Sequence, residues 1–177
     1  VDIAVEFAGN HLDNIGANNS TYDKIPVGYY MHNHNAGKGV TGTGGGSSQG
    51  RVSFDYNGGT LLQWGGDATG GQGETVFFNA PVLEGDANSP RKIKLDVYAT
   101  WYTGGRAPDK MTFTMYAYEG GKMNPSGTNF VNNGGKLLYD KAHTVMITTT
   151  KGRENYDATT GGYTKVATII YDRVKHS

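Results

Sequence analysis

The sequence predicts an all-β fold, an antiparallel β-sandwich of jelly-roll type in a single domain over residues 1–177. Three observations carry that expectation. Apolar and polar residues alternate along several stretches, while helical periodicity is nearly absent. Glycine, with 28 residues against 5 prolines, separates those stretches together with Asn and Asp. The 12 tyrosines suit strands, where aromatic side chains pack on a pleated, half-buried surface. A chain of 177 residues is long enough to bury a core. No shift in composition and no internal repeat divides it.

The elements follow in chain order. Residues 2–8 (DIAVEFA), 25–32 (IPVGYYMH), 51–56 (RVSFDY), 60–64 (TLLQW) and 74–79 (ETVFFN) read as strands. Residues 35–50 (NAGKGVTGTGGGSSQG) have the composition of a flexible loop. In 91–102, Ile93, Leu95, Val97, Ala99 and Trp101 share one face, and Lys92, Lys94, Asp96, Tyr98, Thr100 and Tyr102 the other. Residues 110–118 repeat the pattern, with Met111, Phe113, Met115 and Ala117 opposite Thr112, Thr114, Tyr116 and Tyr118. The turn-rich TGGRAPD between them suits a long hairpin loop, so 91–118 is expected to form one hairpin at the centre of the fold. Residues 136–140, 143–150 and 163–174 complete the strands. Trp64 and Trp101 are expected in the core. The chain begins at Val1, as a processed product or an excised fragment would, and both ends are expected in a sheet or an assembly contact.

Charge and composition exclude several classes. Lys and Arg number 16, as do Asp and Glu, so the basic excess of a nucleic-acid binder is lacking. No apolar run approaches the roughly 20 residues needed to span a bilayer, and no membrane insertion is expected. The absence of cysteine removes disulfides, thiolate catalysis and cysteine-type zinc sites. A serine nucleophile elbow, a zincin helix and a phosphate-binding glycine loop are missing too, so the chain reads as a non-enzyme. The carboxylates of Glu6 and Asp96 form a pair of the type glycosidases use, but no sequence feature brings them together.

The most distinctive stretch is 58–81, GGTLLQWGGDATGGQGETVFFNAP. Asp67 and Glu74 are separated by a glycine-rich turn that leads into a strand. Carboxylates on such a loop, beside carbonyls freed by glycine, suit calcium. The same residues also read as an Asx turn at Asp67 and a solvated Glu74. The segment GGDATGGQGETVFFN resembles the motif of the tellurium-resistance stress-protein family, and of a related family of bacterial calcium-binding β-sandwiches. Both open with an Asp-x-Asp-Leu-type strand, to whose tail Val1-Asp2-Ile3-Ala4-Val5 is similar. Of the opening acidic pair this chain has Asp2 alone, and of the paired acids after the glycine turn it has Glu74 alone. The resemblance covers about two-thirds of the chain, and it implies calcium (Ca2+) held by Asp2, Asp67 and Glu74. At the other end, GGYTKVATIIY (161–171) is similar to the final strand of fimbrial subunits, which assemble by strand donation. That resemblance implies a self-assembling partner, with Val1, Ile3, Val5 and Phe7 as the donor row.

Further candidates remain. Tyr98, Tyr102, Tyr116 and Tyr118 form an outward aromatic strip on the expected hairpin, able to stack on sugar rings or simply to pair across strands. His32 and His34 share a strand face from which two imidazoles can reach one metal. Asn18-Asn19-Ser20-Thr21 holds two overlapping N-glycosylation sequons. Three functions are therefore carried forward. The first is a structural or binding module of a surface, extracellular-filament or virion assembly, stabilised by calcium. The second is a carbohydrate-binding module, and the third a metal-dependent or glycan-active enzyme on a jelly roll.

Overall fold

A computed structural model describes residues 1–7, 27–28, 40–42, 52–56, 58–68, 73–87, 89–102, 107–150 and 163–177. The described chain is mostly strand. In order these are β1 (Asp2–Phe7), β2 (Val27–Gly28), β3 (Val40–Gly42), β4 (Val52–Tyr56), β5 (Gly59–Trp64) and β6 (Val76–Phe78). There follow β7 (Lys92–Thr100), β8 (Asp109–Glu119), β9 (Lys122–Ser126), β10 (Asn129–Asn133), β11 (Lys136–Ile147) and β12 (Thr164–Asp172). A short 3-10 turn, Ala80–Leu83, has Pro81 as its second residue, where the fixed φ and missing N–H are tolerated in a first turn.

The protein is all-β, and its strands form several small antiparallel sheets. Two sheets have four strands, ordered β12-β7-β1-β2 and β3-β4-β5-β6. Two ribbons, β8 with β11 and β9 with β10, have two strands each. One hydrophobic cluster draws on both four-stranded sheets. Ala4, Val5 and Phe7 of β1 and Ile93, Leu95 and Val97 of β7 meet Phe54 of β4 and Leu61, Leu62 and Trp64 of β5. Phe7 sits at the junction, edge-on to Phe54 at 6.2 Å between centroids and to Phe78 at 6.4 Å. Such aromatic pairs add to the stabilisation from buried area.

The apolar face expected in 91–102 is reproduced, with Ile93, Leu95, Val97 and Ala99 buried and Trp101 half-buried, but Asp96 and Thr100 of the opposite face are buried as well. The expected 91–118 hairpin is not reproduced. β7 pairs with β1 on one edge and β12 on the other, so no edge remains for β8. β8 pairs instead with β11 from Lys136 to Ile147. Alternation fixes which face of a strand is apolar but says nothing about its partner. The expected strands 136–140 and 143–150 fall on one strand, β11, whose pairing with β8 runs unbroken through Lys141 and Ala142, while a bulge lies between Leu137 and Tyr139. Within the loop expected over 35–50, Val40–Gly42 forms β3 against β4. Of the strand expected over 25–32, Val27 and Gly28 are described, and they pair with β1.

The β9–β10 hairpin was not foreseen, since Pro125 and four asparagines across the two strands obscure any alternation. Its two-residue connection, Gly127-Thr128, is nonetheless a hairpin signal, and Gly127 takes the positive φ (+60°) that such a turn requires. At the chain end, Asp172 accepts hydrogen bonds from the backbone N–H of Val174 (3.0 Å) and Lys175 (3.1 Å) and pairs with Arg91 at 3.1 Å. The bond from Arg91 is the main reason its carboxyl lies lowered to about 2. Arg173 then bonds the carbonyls of Ser89 (2.7 Å), Asp86 (2.9 Å) and Leu83, tying the segment after β12 to the 3-10 turn.

Candidate metal centre

The site lies where the first strand of one sheet meets the β5–β6 connection of the other. β5 ends at Trp64, whose side chain is wholly buried. The next two glycines turn the chain. A side chain on Gly65 would place its Cβ 2.0 Å from the carbonyl oxygen of Thr128, so only glycine fits beneath the β9–β10 turn. Gly66 has φ +113°, a conformation L-residues avoid. Asp67 follows directly. Glu74 returns beside the stem of the same loop, where the Gly65 N–H bonds the Thr75 carbonyl at 2.8 Å. The β9–β10 hairpin closes over the stem, with Thr75 Oγ1 donating to Asn129 Oδ1 (2.7 Å) and Thr128 Oγ1 to the Gly73 carbonyl (3.3 Å).

Asp2 enters from the opposite sheet as the first residue of β1, opposite Thr100 of β7. One carboxylate oxygen from each of Asp2, Asp67 and Glu74 lies within 4.8 Å of the other two. All three residues expected as ligands from the sequence are thus brought together. Asp2 is only 4% exposed. Glu74 Oε2 accepts from the Ile3 N–H (2.9 Å) and from the Trp64 indole N–H (3.2 Å). Glu74 Oε1 is sealed from solvent and has no hydrogen-bond partner among the described residues. Burial, then the negative charge of Asp2, pushes the Glu74 carboxyl up to about 8, and its two hydrogen bonds oppose that rise only in part.

Three carboxylates this close, one with a buried orphan oxygen, are relieved either by a proton or by a cation. Hard oxygen donors fit calcium or a similar ion, with carbonyls and water completing the roughly 6–8 ligands calcium takes. The donation from Trp64 has no sequence signature, because nothing in QWGGD says which way the indole N–H points.

The other candidates are distributed differently. Tyr98 and Tyr102 are half-buried against the core, whereas Tyr116 and Tyr118 of β8 are 58% and 38% exposed. The four do not form one strip, because β7 and β8 are not partners. Glu6 and Asp96 do stand opposite each other in the β1–β7 register. Asp96 is held by Thr168 Oγ1 and by Lys165 Nζ, each at 2.7 Å. His32, His34 and the sequons at Asn18–Thr21 lie outside the described residues. No protein-family model, curated protein or solved structure gives a significant match to this chain.

Proposed function

We infer that this protein is a calcium-stabilised β-sandwich module that acts by binding or assembly rather than by catalysis. The observation that carries the calcium reading is the buried Oε1 of Glu74, without a hydrogen-bond partner among the described residues, beside the carboxylates of Asp2 and Asp67. A built acidic cluster that leaves a buried oxygen unsatisfied is costly unless something fills it. The sandwich reading is supported by the hydrophobic cluster shared between the two four-stranded sheets. The non-catalytic reading rests on the sequence, which carries none of the nucleophile, zincin or phosphate-loop motifs. Calcium sites of extracellular modules fill at millimolar concentrations, and three carboxylates completed by carbonyls and water suit such a site. A place in a surface, filament or virion assembly is consistent with that.

The test is thermal unfolding with calcium and with chelator. A ligand that binds only the folded state raises Tm by mass action. Calcium should therefore raise Tm in the native protein and leave it unchanged in Glu74→Gln; an identical Tm in calcium and chelator retires the site. A carbohydrate-binding reading is favoured by the exposure of Tyr116 and Tyr118 on one face of β8. It expects a glycan-array signal lost in Tyr116→Ala.

A further inference from the structure

The two halves of the candidate site belong to different sheets. Asp2 begins β1, which lies between β7 and the two-residue β2, while Asp67 and Glu74 belong to the connection between β5 and β6 of the second four-stranded sheet. The contacts at this corner include the hydrogen bonds from the Ile3 N–H and the Trp64 indole N–H to Glu74 and the approach of the three carboxylates. With all three carboxylates ionised and no cation bound that approach is repulsive, and the repulsion acts on the first residue of β1. With a cation it becomes attractive at the same place. The sealed, unpartnered Glu74 Oε1 is the independent sign that this corner is built to receive something.

On that basis, and resting on the calcium reading above, we propose that the cation is a clasp between the two sheets whose occupancy governs the attachment of strand β1. When the clasp is empty, the start of β1 peels from the site. Past Asp2, β1 is held through its pairing with β7 and the burial of Ala4, Val5 and Phe7, so the rest of the molecule keeps its fold.

The experiment is hydrogen–deuterium exchange read by mass spectrometry on the full chain, with calcium and with chelator, alongside calorimetric titration of calcium into the chelated protein. The expected result is saturable calcium binding together with exchange of the Ile3–Phe7 amides that is about tenfold or more faster without calcium, while β11 amides change little. Asp2→Asn should abolish the calcium dependence of β1 exchange. Calcium binding with unchanged β1 exchange overturns the clasp and leaves the calcium site standing. Uniform slowing of every strand also overturns it, because that is general stabilisation. Absence of calcium binding overturns both.

Discussion

Glu74 carries opposing demands at a single side chain. Its Oε2 is bonded by Trp64 and Ile3 as an anion would be, yet burial and Asp2 hold its carboxyl at about 8. The sign of the consequence is fixed by linkage. In the cation-free protein the folded state binds this proton more tightly than the unfolded state, where the ordinary value is 4.5. Stability contributed by the group is therefore complete below about 4.5, falls as pH rises to about 8, and is flat above. The loss is on the order of a few kcal/mol. Urea unfolding in chelator across that range should show the decline in the native protein and little of it in Glu74→Gln; a native profile without slope contradicts the burial of an ionisable Glu74. At this scale the sequence was informative about ligands and silent about their surroundings. Asp67 and Glu74 stand out because glycines isolate them, whereas Trp64 and the Ile3 N–H reach Glu74 only through a meeting of two sheets.

Elements that were legible share a clean alternation, and those that were not lack one. The apolar face of β7 could be read from Ile93 to Ala99, but its partners depend on which strands can bury that face, and that is a property of the whole chain. The β9–β10 hairpin shows the reverse case. Its strands are polar and carry Pro125, while its turn and its contacts with the β5–β6 loop are specific. Phe77 and Phe130, 5.6 Å between centroids, add an aromatic contact beside them. Gly65 is where the hairpin and loop touch, so Gly65→Ala should force them apart and cost about 1–3 kcal/mol, as overpacking does. Gly73 lies in the same connection with no atom near its hypothetical Cβ, and Gly73→Ala should stay within about 0.5 kcal/mol of the native protein. Chemical denaturation compares the two; equal effects would mean that the hairpin does not brace the loop.

In the whole molecule, two antiparallel sheets share one core around Phe7, and an acidic corner joins β1 of one to the β5–β6 connection of the other. The all-β class was legible from alternation and glycine content. The division into two four-stranded sheets and two ribbons was not, because sheet order follows from long-range pairing rather than from local pattern. The central claim is that a hard cation sits among Asp2, Asp67 and Glu74, and Trp64 provides a direct reporter, since its indole N–H bonds one of those ligands at 3.2 Å. Terbium, an oxygen-seeking calcium substitute, should show luminescence sensitised by tryptophan excitation. That signal should be competed away by calcium and lost in both Glu74→Gln and Trp64→Phe. Terbium emission that is absent, or that survives both substitutions, would contradict a cation at this corner.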